Sequence, residues 1–310
     1  MRPILRKRLF LAAALLAVLA LLPLSGCASV KTQSGQSTLW RVQVPLASPR
    51  QSSQSPASTV YLMGSIHVLP KSAYPLKPAL NKAFNDSARV VFEINLADEK
   101  HDIADSFQDG LYPKGEKLSQ HLSPETLTML KTLLPYFQLS FEKFEPMRPW
   151  LVSDLLTSLY LSRSGYQSEL GLDMHFYDLA RCRGKPIDGL EKIQAQTEPF
   201  RQLTDREADR YLRSTLASLP YTGVWFSKMI AAWRTGNVAA LDALINHSTE
   251  SDKGFYKSIF DDRNAAWMPR VRSYLRAPGN TLIIVGSGHL VGRHGLVAQL
   301  RREGYSVKQL

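Results

Sequence analysis

The sequence predicts an α/β fold: a mixed central sheet with strand-Gly-x-x-His motifs at one edge and an inserted helical lobe. Three observations predict it. Val60-Tyr61-Leu62-Met63 is an apolar run closed by Gly64 and followed by His67, and Thr281-Leu282-Ile283-Ile284-Val285 repeats the pattern with Gly286 and His289. Apolar runs of strand length bounded by glycine read as buried strands. Val90-Val91-Phe92-Glu93-Ile94 is a further such run, and between about 123 and 246 apolar residues recur at helical spacing.

Each histidine emerges just past the C-terminal end of its strand. Open α/β sheets collect ligands at that edge, so two strands of one sheet can deliver both imidazoles into one crevice. Two neutral imidazoles facing each other point to a metal. Either motif alone reads more readily as a turn histidine donating to a nearby carbonyl; the pair, which shares Ser65 and Ser287 after its glycines, is the stronger signal. Gly286-Ser287-Gly288 is not the Gly-x-Ser-x-Gly nucleophile elbow, and no His-Glu-x-x-His is present.

The N-terminus carries Arg2, Arg6, Lys7 and Arg8, then an aliphatic segment from Leu9 to Leu22 that is short for a membrane span. This is a secretory signal pattern. It closes on Leu24-Ser25-Gly26-Cys27, which resembles a bacterial lipobox, so residues 1–26 read as a signal peptide and Cys27 as the lipidated first residue of the mature chain. Ala28 favours, by that resemblance, the outer membrane. Losing the four basic residues of the leader takes the net charge from +11 to +7. The remaining Lys and Arg are scattered as on a solvated surface, and no nucleic-acid motif is present. Cys182 is the other cysteine, so the mature chain has no disulfide pair once Cys27 is lipidated, and stability rests on the core.

Residues 27–37 read as a tether and 38–310 as the folded domain. A first strand is expected at Leu39 to Val44, a Ser-, Gln- and Pro-rich loop from Pro45 to Ser58, and a strand at Thr59 to Met63. A helix follows Pro78. Glu93, in a buried strand, needs a partner: a metal, an imidazolium, or Arg89, unless that strand face is exposed. Ser123-Pro124-Glu125 starts the helical lobe. Helices are expected at Trp150 to Tyr160, Leu172 to Ala180, Lys192 to Ala217 and Thr222 to Trp233, with a short strand at Lys185 to Glu191. His175 is assigned to structure. Asp262-Arg263-Asn264 opens a helix that Pro269 is expected to bend. A helix at Leu296 to Arg301 and a strand at Ser306 to Gln309 complete the sheet.

Tyr61 to Pro70, the Glu93 strand, Arg148-Pro149-Trp150, Gly171-Leu172-Asp173, Gly189-Leu190-Glu191, Asp262-Arg263-Asn264 and Gly286 to Gly292 together resemble the TraB/GumN family. That family is similar to the Tiki membrane proteases and to the wider erythromycin-esterase and ChaN-like folds. The resemblance implies an α/β crevice carrying two histidines and glutamates and, for the Tiki branch, metal-dependent peptidase activity. Ser65 stands where threonine is frequent in the family, and either hydroxyl can orient a neighbour. By position the resemblance implies His67, His289 and Glu93 as metal ligands and Glu191 as general base, with the two glutamate roles exchangeable. Arg148 or Asn264 is then expected to stabilise an oxyanion, and Asp173, Ser65 and Ser287 are secondary candidates. Zinc, manganese and cobalt all suit such ligands. The expected partners are a bacterial membrane, on its periplasmic face, and a peptide or protein substrate. The alternative is a non-catalytic periplasmic lipoprotein that captures a peptide or haem-like ligand; a third reading is an envelope chaperone or scaffold.

Overall fold

The computed structural model of the chain describes residues 35–44, 58–96, 107–246 and 253–310. The leader, Cys27, most of the tether and nearly all of the loop expected from Pro45 to Ser58 lie outside the described residues. The chain divides into two compact units.

The sheet unit takes its described residues from 35–96, 167–192 and 226–310. Its strands are β1 (Leu39–Gln43), β2 (Val60–Ser65), β3 (Arg89–Phe92), β4 (Ile187–Gly189), β5 (Thr281–Gly286) and β6 (Ser306–Gln309), in the order β4-β3-β5-β2-β1-β6. The sheet is mixed, as the sequence predicts. β5 runs parallel to both neighbours, pairing Val60 with Thr281 through Ser65 with Gly286 on one side and Arg89 with Thr281 on the other. β1 is antiparallel to β2 and to β6. The central position of β5 explains why Leu282 to Val285 are all apolar: they are buried, as a parallel strand covered on both faces requires.

The crossover from β2 to β3 is α1 (Pro78–Asp86), with proline at its first position, where the missing N–H costs nothing. β5 inserts between these two strands from the far end of the sequence. α2 (Leu172–Cys182) leads into β4, and α3 (Asp262–Arg276) leads into β5 and runs as one helix through Pro269. A π-helical segment, Lys257–Asp261, precedes α3. After β5 come a single turn, α4 (Ser287–Leu290), and α5 (Leu296–Arg302).

The helical unit comprises residues 107–166 and 193–225. The lobe was expected at about 123–246; within that range 167–192, which supply β4 to pair with β3, and 226–246 fall in the sheet unit. The helical stretch expected from Lys192 to Ala217 consists of two helices, Ile193–Arg201 and Asp205–Ser218. Thr204 and Glu207 form a capping box, which starts a new helix more favourably than it continues the old one. The second helix packs its apolar face, Leu212 and Leu216, into a core with Leu118, Leu130, Val152 and Leu156. No helix among the described residues is long and apolar enough to cross a membrane.

Candidate functional site

The parallel register sets the site. Because Ser65 pairs with Gly286 and Phe92 with Gly189, the residues that follow β2, β3, β4 and β5 all leave the sheet at one edge. These residues are His67, Glu93, Glu191 and His289, all within the sheet unit. Glu191 N–H donates to the Glu93 carbonyl at 2.9 Å, so the two acids stand on adjacent backbones.

Gly286 is the floor of the arrangement. A Cβ placed on it would lie 3.3 Å from Glu93 Oε1, 3.5 Å from His67 Nε2 and 3.7 Å from His289 Cδ2. Three side chains that follow three neighbouring strands therefore approach one point in front of Gly286. Gly286 N–H also donates to Glu93 Oε1 at 2.7 Å.

His67 is held from α2. A Cβ on Gly171 would come within 2.2 Å of the His67 carbonyl oxygen, so only glycine lets the N-terminus of α2 approach this closely. Leu172 N–H then donates to the Ile66 carbonyl, and Asp173, in the first turn, reaches the ring. Asp173 Oδ1 lies 3.2 Å from His67 Nδ1 and accepts from Ser65 Oγ at 2.7 Å. The His67 contact has the distance of an ion pair without the angle of a directed hydrogen bond. Burial disfavours a charged ring here, but Asp173 and then Glu93 outweigh it and raise the His67 pKa to about 9. The other motif serine acts on the backbone instead: Ser287 Oγ donates to the Ser65 carbonyl at 2.9 Å and ties α4 to β2.

His289 is buried, with its ring between Phe260 (centroids 5.0 Å apart) and Trp267 (4.4 Å). Burial and then the Arg263 charge lower its pKa to about 3, so the ring is neutral. Its Nδ1 is 2.8 Å from Asn264 Oδ1, and Asn264 Nδ2 donates to the His294 carbonyl, which fixes the amide orientation. His289 Nδ1 is thus the protonated nitrogen and Nε2 carries the lone pair. Asn264, expected as an oxyanion donor, thus has its amide oxygen on the imidazole and one amide N–H on backbone.

The residue that sequence reasoning left unassigned is Arg263. Its Nη2 donates to Glu93 Oε2 at 2.8 Å and to Glu191 Oε1 at 2.5 Å, its Nε lies 3.1 Å from both Glu191 oxygens, and its Nη1 donates to the Ile259 carbonyl. Trp267 Nε1 completes the set on Glu191 at 2.8 Å. Burial would raise the Glu93 pKa, yet Arg263 and the nearby imidazoles bring it down to about 2. For Glu191 burial wins over Arg263, and its carboxyl stays above the usual range. Glu93 therefore does have a partner, and it is Arg263 rather than Arg89. The signal was the Asp262-Arg263-Asn264 motif itself, of which Asp262 is exposed while Arg263 and Asn264 are both buried. Arg148 belongs to the helical unit, where it precedes the helix Pro149–Arg163 and its guanidinium lies over the Tyr112 ring at 4.9 Å. His175 packs against Tyr74 and Phe176, as a structural histidine does.

His289, neutral and with its Nδ1 on Asn264, has the arrangement that orients metal-binding histidines, whereas the His67 ring beside Asp173 is protonated at neutral pH and must lose that proton before it can hold a cation. Glu93 suits it less well, because Arg263 already neutralises it. Among the described residues no group of three or more His, Cys, Asp and Glu is arranged to hold a metal as it stands.

Comparison with known proteins finds relatives named as metalloproteases. The chain is 25% identical to a protein named metalloprotease TIKI1 of Danio rerio, over 92% of this chain and 65% of that one. It is 24% identical to metalloprotease TIKI2 of Danio rerio, over 90% and 62%, and 23% identical to metalloprotease TIKI1 of Homo sapiens, over 80% and 59%. The chain spans less than two thirds of the length of these curated relatives. No solved structure matches. The model of the TraB/PrgY/gumN family covers residues 52–309, from before β2 to the end of β6, and the chain belongs to that family.

Proposed function

We propose that the chain is a metal-dependent hydrolase of peptides or proteins, carried as a lipoprotein anchored through Cys27 on the periplasmic face of a bacterial membrane. The observation that carries the catalytic part is the convergence of His67 Nε2, Glu93 Oε1 and the His289 ring in front of Gly286. The relatives named metalloproteases support the reaction class. His67, His289 and Glu93 would hold the cation, which is zinc, manganese or cobalt by ligand type. When bound, such a cation polarises a substrate carbonyl and stabilises the charge that develops on its oxygen.

The chain's own groups do the positioning. Asn264 keeps the His289 proton on Nδ1, and Phe260 and Trp267 exclude water from that ring. Asp173 orients His67. Glu191 has the raised proton affinity a general base needs, but Arg263 and Trp267 hold its oxygens, so it can act only as they let go. That clamp favours, as the second reading, a non-catalytic lipoprotein that captures a peptide or haem-like ligand.

Metal analysis of the soluble form from Ala28 onward, beside His67→Ala and His289→Ala and a peptide-library digest, separates the two. Stoichiometric metal with turnover, both lost in the variants, supports the hydrolase; tight ligand capture with no turnover in any metal supports the binder. For the anchor, Cys27→Ser is expected to release the protein or leave the precursor unprocessed. Unchanged membrane fractionation removes that part of the proposal.

A further inference from the structure

The Arg263 guanidinium does for the two sheet-edge carboxylates what a bound cation would do. It is almost fully buried, with a side-chain exposure of 9%, against 12% for Glu93 and 7% for Glu191. It bridges acids from two adjacent strands, and its remaining contacts, the Ile259 carbonyl and the Trp267 ring face, hold it there. Two carboxylates buried side by side can both be ionised only if a cation pairs with them, since unpaired buried charge is strongly unfavourable. The fold meets that need with a residue of its own.

The placement matters for anything else that binds Glu93. Glu93 Oε1 faces the point between His67 and His289, while Oε2 of the same carboxylate is on Arg263. A divalent cation at that point would share one carboxylate with a fixed positive charge and be repelled by it. We propose that Arg263 is a built-in competitor for the cation site, a positioning residue that keeps the acids paired in the metal-free protein and thereby lowers this chain's affinity for divalent metal. The inference rests on the reading that His67, His289 and Glu93 hold a metal. It assigns the weak third ligand to regulation: metal occupancy follows the free cation concentration around the protein, because every binding event must first overcome the guanidinium.

The test is titration of the detergent-solubilised full chain with MnCl2 alone, by calorimetry, for wild type, Arg263→Met and Arg263→Gln. An opposite charge within a few ångströms shifts a group's proton equilibrium by about 1 to 3 pKa units, so removing the competing charge is expected to tighten Mn²⁺ binding by about tenfold or more. Arg263→Gln keeps an amide donor for Glu191 and guards against a variant that does not fold. Should both charge-removing variants unfold without metal, recovery of a cooperative thermal transition on adding MnCl2 supports the proposal, and no recovery overturns it. Binding in the variants that equals or falls below wild type overturns it while leaving the metal reading intact. Binding only in the variants supports the competitor and removes the metal reading for the unaltered chain. Absence of binding in all three proteins overturns both.

Discussion

Asn264 Oδ1 and His289 Nδ1 are 2.8 Å apart and both buried, so a residue at the start of α3 decides which nitrogen of the second motif histidine is available. Asn264→Ala leaves the ring N–H buried without an acceptor. The expected cost is about 1 to 3 kcal/mol in a urea unfolding series. Loss of an outer partner of this kind is also expected to weaken metal binding by about 10- to 100-fold. Asn264→Asp retains an acceptor and is expected to recover much of both; a measurement in which Asp does no better than Ala rejects the orienting role.

Gly286→Ala provides a plug. The new methyl group would meet Glu93, His67 and His289 at 3.3 to 3.7 Å, snug but not severely overlapping. The backbone there, φ −50° and ψ 137°, is open to any L residue. Thermal stability is therefore expected to stay within about 1 kcal/mol of wild type, with metal binding and turnover lost. Retention of both shows that the point in front of Gly286 is not where the chemistry occurs.

Glu93→Gln and Glu191→Gln each leave Arg263 with one anion instead of two. Breaking a buried pair costs about 3 to 5 kcal/mol when the remaining charge is uncompensated. Because each variant leaves one acid in place, the loss is expected at the lower end, and the double variant to lose more than the two singles together. Chemical denaturation of the four proteins measures this directly, and strictly additive losses contradict the shared-cation description.

In the helical unit, Asp154 lies inside the helix Pro149–Arg163, and among the described residues its Oδ2 has no hydrogen-bond partner. Burial holds its pKa well above the usual carboxylate range. The folded state therefore keeps its proton where the unfolded state, with a pKa of about 3.9, has lost it. Stability from this group is full below the unfolded pKa and declines as pH rises toward the folded one. Asp154→Asn removes the decline. Its melting temperature is expected to exceed wild type at pH 7 to 8, with the gap closing toward about pH 4. A gap independent of pH assigns the effect to packing instead.

Some of this was legible in the chain and some was not, for physical reasons. The strands of His67, Glu93 and His289 announced themselves because a parallel strand buried on both faces must be apolar throughout, and glycine must end it where side chains crowd. Gly171-Leu172-Asp173 stood out as a unit without revealing that its glycine exists to let α2 touch the backbone of His67. Arg263 was hidden because its partners lie 72 and 170 positions away and a buried arginine has no local periodicity to betray it. The break at Thr204 was readable in principle, since Thr204 and Glu207 have capping-box spacing, but the helical pattern on both sides masked it.

The pairing of β2 with β5 also governs when the protein becomes competent. Ser65 and Ser287, which join the two motifs, are 222 positions apart, so the central strand is supplied by a segment made long after the strands it separates. Closing a loop of that size is entropically slow, and contacts of such high order form late in folding. Until β5 docks, the inner edges of β2 and β3 are open to pairing with other chains, and His67 and Glu93 stand without His289. Completion of the fold and completion of the site are thus one event, and a copy that stalls before it is inert as well as prone to aggregate.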